Sequence, residues 1–262
     1  MNGSNKALSL FSRQLGIESE KTLIILHGLL GTSDNWQSLG KEFAATHRVH
    51  LIDQRNHGKS PHDPIHHYPA MASDLALYFE EHGIERATLL GHSMGGKTAL
   101  TFAHDHPELI EGLVIADMSA RAYAPHHGPI FDALLDAPMP SADSRSAIES
   151  FLMHRLNDPG MVAFLMKNVR REKTGGYTWR PNVPVLAAAM AEVVGEVPLE
   201  TNTLPTLVIY GGQSDYVNES DLAYFDARCM QLETHCIEGA GHWLHASHPE
   251  EFYSTVSDFL AR

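Results

Sequence analysis

The sequence predicts an α/β protein, a mostly parallel and doubly wound sheet that carries one helical insertion. Three observations lead there. From residue 22 to residue 119, apolar runs of strand length alternate with segments of helical pattern. Between residues 121 and 200 the alternation breaks, and eight of the 14 prolines fall there (Pro125, Pro129, Pro138, Pro140, Pro159, Pro181, Pro184 and Pro198). From residue 204 the alternation resumes and runs to the end of the 262-residue chain. Strands alternating with helices mean parallel pairing, with crossover helices on both faces.

Each element follows from its local pattern. ALSLFSRQL (7–15) alternates with period two, as an outer strand does. TLIILHG (22–28) is a short unbroken apolar run, the mark of a strand buried on both faces. SDNWQSLGKEFAAT (33–46) reads as a helix with Ser33 as N-cap, and RVHLIDQRNHG (48–58) as strand then loop. PAMASDLALYFEEHG (69–83) reads as a helix stopped by Gly83. RATLLGHS (86–93) is a strand, MGGKTALTFAHDHP (94–107) a helix ended by Pro107, and LIEGLVIADMS (109–119) the next strand.

Inside the proline-rich stretch lie short helical pieces, SADSRSAIESFLMHRL and PVLAAAMAEVVG. Parallel strands need no detour of that length, so it is expected to be a helical cap at the sheet's edge. The expected division is a core domain of residues 1–120 and 201–262 with a cap of residues 121–200. A strand at 204–212, a helix near 219–228, a strand at 233–239 and a closing helix at 249–261 complete the pattern.

Composition narrows the function classes. The chain is 43% hydrophobic and 19% charged, ordinary for one globular core of this size. A net charge of −13 argues against nucleic acid, whose phosphates need cationic side chains, and against anionic lipid surfaces. The two cysteines, Cys229 and Cys236, make no Cys-x-x-Cys pair, so a reducing compartment is expected. No secretory pattern opens the chain, and no stretch approaches the length of a membrane span. The expected location is cytoplasmic, with a small-molecule substrate and an oligomeric state left open.

The chemistry centres on LLGHSMGGKTA (89–99). Ser93 stands between glycines where an apolar strand turns directly into a helix, the context of a nucleophile elbow. Gly91 and Gly95 give room for the sharp turn, and the helix beginning at Met94 aims its free N–H groups at the same spot. A serine hydroxyl is inert without a base, and that base needs an acid to hold its tautomer. The chain has 18 histidines, but in the elbow topology the order is serine, then acid, then histidine. His242, in the glycine-rich loop EGAGHWLHASHPEEF after the last strand, satisfies it. Asp117 and Asp215 both follow strand ends, and the order rule alone does not separate them. The backbone N–H groups of Met94 and Leu29 are the expected oxyanion donors.

LHGLLGTSDNW, DQRNHGKSPH, GHSMGGKTA, VIADMS, YGGQSDYV and GAGHWLHASHPEEF together resemble the α/β-hydrolases, and within them the YbfF-type bacterial esterases. The resemblance spans nearly the whole chain apart from the cap. It implies the α/β-hydrolase fold, Ser93 as nucleophile, His242 as base, and Asp117 as acid. Most other α/β-hydrolases use the position that corresponds to Asp215, and this chain has an aspartate there too.

The reading is a serine carboxylesterase acting on small to medium acyl esters, with thioesters open to the same machinery and no cofactor. Tyr123, Trp179 and Trp243 are candidate substrate contacts, and Phe131, Phe151 and Phe164 further candidates to wall an acyl pocket. Two other readings stand beside it. One is carbon–carbon bond hydrolysis, or an elimination of the kind found in menaquinone synthesis, on the same fold. The other is a non-catalytic binding protein. An aspartate would stand at 93 in a haloalkane dehalogenase or epoxide hydrolase. The histidine groups at 62/66/67, 126/127 and 242/245/248 lack metal-site spacing and are expected to be solvated loop residues, so no metal is expected. Lys97 is likewise expected to be solvated, His27 structural, and the DQRNHGKS loop a brace for the site's rim.

Overall fold

Every residue of Thr22–Leu26 is buried, because the run is apolar without a break, and such a strand belongs inside a sheet. The computed structural model describes residues 6–16 and 19–262. Residues 1–5, part of the stretch inspected for a secretory pattern, lie outside the described residues. In chain order the elements are β1 (Ser12–Leu15), β2 (Thr22–Leu26), α1 (Gln37–Phe43), β3 (Arg48–Ile52), α2 (Tyr68–His82), β4 (Ala87–His92), α3 (Met94–Asp105) and β5 (Ile110–Ala116). An insertion follows: α4 (Gly128–Asp136), α5 (Arg145–Leu156), α6 (Pro159–Met166), β6 (Val169–Arg171), β7 (Tyr177–Trp179), α7 (Val183–Ala188) and α8 (Met190–Val194). The chain closes with β8 (Asn202–Gly211), α9 (Glu219–Asp226), β9 (Cys229–Ile237), α10 (Leu244–Ser247) and α11 (Pro249–Leu260).

Among the described residues seven strands form one sheet in the order β1-β3-β2-β4-β5-β8-β9. Only β1 runs antiparallel, at the edge where its period-two pattern put it. Because side chains alternate across a strand, each strand feeds two cores. Ile24 and Leu26 pack with Met71, Leu75 and Phe102 on one face. Leu23 and Ile25 pack with Trp36, Phe43 and Phe252 on the other. A third cluster, including Phe131, Ile148, Leu152 and Leu165, belongs to the insertion and takes in Leu30 from the loop after β2. No helix among the described residues is long and apolar enough to cross a membrane.

Three local expectations need correction. The segment after β2 opens with a 3-10 turn, Ser33–Trp36, whose N-cap is Thr32 rather than Ser33. The backbone N–H of Ser33 is taken instead by the Asp53 carboxylate at 2.6 Å. The insertion also contains the antiparallel hairpin β6–β7, turned through Gly175 (φ 97°) and Gly176 (φ 74°). Lys97 is fully buried, not solvated. Its ammonium donates to the carbonyl of Arg121 at 2.7 Å and to that of Gly195, so α3 holds both ends of the insertion. Desolvation lowers its pKa to about 8.

Candidate active site

Ser93 is the single residue between β4 and α3, with φ 52° and ψ −120°. A non-glycine residue held there is strained, and such strain persists only where the surroundings over-determine it. A Cβ on Gly91 would strike the Gly95 carbonyl, and one on Gly95 would strike the Leu26 carbonyl, so the turn excludes side chains on both. The chain leaves β2 for β3 on one side and returns to β4 on the other. Loops diverge at such a reversal and leave a crevice beyond the carboxyl ends of the strands. Ser93 sits at that edge.

His242 meets Asp117 there. Its Nδ1–H donates to Asp117 Oδ2 at 2.7 Å. Asp117 is completely buried and also receives the Gly211 N–H at 3.0 Å and the Ser214 hydroxyl. The alternative acid, Asp215, is exposed and makes no hydrogen bond to His242. The order rule left two aspartates open, and only Asp117 is brought to the histidine. The His242 ring stacks on Tyr216 at 3.9 Å, and its backbone carbonyl accepts from His92 Nε2 at 2.9 Å. Burial holds His92 well below the usual histidine pKa, so it braces His242 as a neutral ring. With Nδ1–H given to a carboxylate, His242 has Nε2 left as a proton acceptor. Ser93 and His242 line the same cavity. No hydrogen bond joins them among the described residues, a looseness common to such pairs before substrate binds.

The loop after β2 supplies the other half of the site. His27 donates through Nδ1 to the Gly28 carbonyl at 2.8 Å and accepts the Gln54 N–H on Nε2 at 3.0 Å. His57 donates to the Arg55 carbonyl at 2.9 Å and accepts the Leu30 N–H at 3.1 Å. Burial pushes both pKa values down, which suits rings that must each keep one bare nitrogen. The DQRNHGKS loop therefore clamps the loop carrying Leu29, and His27 has a structural part. Neither Leu29 N–H nor Met94 N–H has a hydrogen-bond partner among the described residues. Two free N–H groups beside a hydroxyl that lines a cavity are the donor set that a developing oxyanion takes.

A cavity of about 550 Å³ opens over Ser93 and His242, walled by Trp36, Ile130, Phe164 and Trp243. A niche of about 20 Å³ beside it is lined by Ser93, Met94 and Tyr123. Of the three candidate substrate contacts, Trp243 and Tyr123 thus border open space at the serine. Trp179 does not line either space. Its indole N–H donates to the Leu134 carbonyl at 3.0 Å and its ring packs in the insertion's own cluster, as do Phe131 and Phe151. The histidine groups also differ from expectation. His66 and His245 are buried, and desolvation lowers each pKa to about 3. His245 stacks on Trp36 at 4.2 Å. Among the described residues no three His, Cys, Asp or Glu side chains converge as metal ligands would. Sequence reasoning missed Ser214 and Tyr216, because a serine and a tyrosine beside Asp215 carry no local signal of contact with Asp117 and His242.

Comparison with known proteins agrees with this architecture. The model of a family described as alpha/beta hydrolase fold matches residues 21–249. Esterase YbfF of Escherichia coli K12 is 34% identical over 239 residues, covering 91% of this chain and 92% of that protein. The mouse sn-1-specific diacylglycerol lipase ABHD11 is 34% identical over 248 residues, covering 91% of this chain and 80% of that one. A solved structure titled marine microorganism esterase superposes with a TM-score of 0.93 at 34% identity, covering 97% of this chain and all of its own.

Proposed function

The chain belongs to the α/β-hydrolase fold family, and on that premise we propose that it is a serine carboxylesterase of small to medium acyl esters. One observation carries the reading. The strained Ser93 shares a cavity with a histidine whose Nδ1–H is held by a buried carboxylate, and two unpartnered N–H groups adjoin it. In this mechanism Ser93 Oγ attacks the acyl carbon while His242 Nε2 takes its proton. The N–H groups of Leu29 and Met94 hold the oxyanion, and Asp117 offsets the charge on the imidazolium. His242 returns the proton to the departing alcohol. Water, deprotonated by His242, then releases the acid and frees Ser93. Thioesters suit the same steps.

The apolar walls of the cavity favour an aliphatic or aromatic acyl group. Similarity to an esterase and to a diacylglycerol lipase supports that substrate class. The insertion acts as a cap, since Phe164 on α6 helps wall the cavity. Labelling with a serine-directed phosphonate, read by peptide mass, tests the proposal. The adduct is expected on Ser93, and Ser93→Ala is expected to abolish ester turnover with an unchanged melting temperature. An unlabelled Ser93, or an active Ser93→Ala, refutes it.

A further inference from the structure

We infer that Asn168, on the insertion, is a positioning residue for the oxyanion donor at Leu29. This rests on the serine esterase reading above. Leu30, the next residue, has φ 59°, a left-handed backbone that leucine seldom adopts. It is held from both sides. Its N–H donates to His57 Nε2 at 3.1 Å, and its carbonyl accepts the Asn168 Nδ2–H at 2.7 Å. The first of these bonds comes from the core and the second from the insertion. Leu29 N–H, without a partner of its own among the described residues, shares its peptide unit with the Gly28 carbonyl, which accepts the His27 Nδ1–H at 2.8 Å and the Gly31 N–H at 2.9 Å. The Gly31 N–H in turn shares its unit with the Leu30 carbonyl that Asn168 holds, so that bond reaches the Leu29 donor through the turn.

Asn168 is itself fixed. It follows α6, its N–H donates to the Leu165 carbonyl at 2.9 Å, and its carbonyl accepts the Arg180 N–H at 2.9 Å. Its side chain is buried, yet Oδ1 has no partner among the described residues. A buried amide with one end unsatisfied is a poor choice for stability, because an apolar side chain of similar size avoids that penalty. What the amide supplies and an apolar side chain cannot is the donor to Leu30. Violations of local rules concentrate where function is built. The insertion therefore contributes more than a cavity wall: through one hydrogen bond it helps set where the oxyanion is met.

Asn168→Leu and Asn168→Asp test this. Leucine removes both the donor and the orphaned oxygen, and aspartate turns the donor into a group that repels the Leu30 carbonyl. For each, kcat on p-nitrophenyl butyrate is expected to fall about 10- to 100-fold with KM within about twofold, the signature of an interaction made only in the transition state. A trifluoromethyl ketone, which forms an oxyanion adduct with a serine, is expected to weaken in parallel with kcat/KM. Asn168→Leu removes the orphaned oxygen but leaves the Leu30 carbonyl without its donor, so its melting temperature is expected to stay within a few degrees of the wild type. Unchanged kcat in both variants overturns the inference, and so does a fall in kcat with unchanged ketone affinity. A wild type without turnover and without a Ser93 adduct would remove the esterase reading itself. An active wild type with indifferent Asn168 variants removes this inference alone.

Discussion

His242 donates a hydrogen bond from Nδ1–H to a carboxylate 125 residues earlier in the chain, Asp117, across 2.7 Å. That bond orients the imidazole with Nε2 as its free nitrogen. It also joins the loop after β9 to the loop after β5, with β8 between them in the sheet.

Asp117→Asn keeps the shape of the side chain but presents an amide to His242 and favours the wrong tautomer. Its kcat is expected to drop by about 10⁴-fold, as for the equivalent change in serine proteases. Asp215→Asn, on the exposed neighbour, is expected to stay within about twofold of wild type. Steady-state rates for the two variants side by side decide the assignment, and comparable losses would reject it.

Ala163 lines the cavity from α6, on the same helix as Phe164. Ala163→Trp fills part of the roughly 550 Å³ from the α6 wall and leaves the identities of Ser93 and His242 unchanged. Acetyl ester turnover is expected to hold within about twofold while octanoyl ester turnover falls more than about tenfold, the scale on which pocket walls discriminate chain length. A p-nitrophenyl ester series measures this; an even loss across chain lengths would mean the acyl group does not lie there.

Acid should destabilise the fold through its buried histidines. Desolvation lowers His50 to about 4, and His66 and His245 to about 3. Their unfolded value lies near 6.5. Between that value and the folded one, the unfolded chain binds more protons, so stability rises with pH. The contribution is complete above pH 6.5 and is lost as pH falls toward 3–4. At pH 5 each such histidine accounts for about 2 kcal/mol. Urea unfolding at pH 7.5 and pH 5 is expected to show a clear drop in midpoint, and a flat profile over that interval would contradict the assignment of neutral rings.

Arg55 and Asp74 are almost wholly buried, and two hydrogen bonds at 2.6 and 2.7 Å join them. Removing one partner strands a charge in the interior. Asp74→Leu is expected to cost about 3–5 kcal/mol, and the double variant Arg55→Met/Asp74→Leu less than the sum of the two singles. Denaturant titration of the four proteins closes the cycle, and simple additivity would show that the charges are not coupled.

Much of this was legible in the chain. Period-two alternation put β1 at an edge, and an unbroken apolar run put β2 inside. Three glycines around one serine marked a turn that no bulkier sequence makes, because Cβ atoms at Gly91 and Gly95 meet backbone carbonyls. These are near-neighbour properties, and a sequence states near neighbours directly. The hairpin β6–β7 was missed although TGG is a turn signal, because the flanking strands, VRR and YTW, are too brief to show alternation.

What the tertiary structure alone decided are contacts between distant segments. Asp117 and Asp215 each follow a strand end, and only the pairing of β5 beside β8, with Ala116 opposite Ile209, turns Asp117 inward against Gly211 and His242. Lys97 reads as a surface cation until the two ends of the insertion close over it. Asn168 carries no motif, and its bond to Leu30 spans 138 residues. The physical reason is common to all three. A hydrogen bond between remote segments depends on where packing brings the backbone, and residue type at either end constrains that place only weakly.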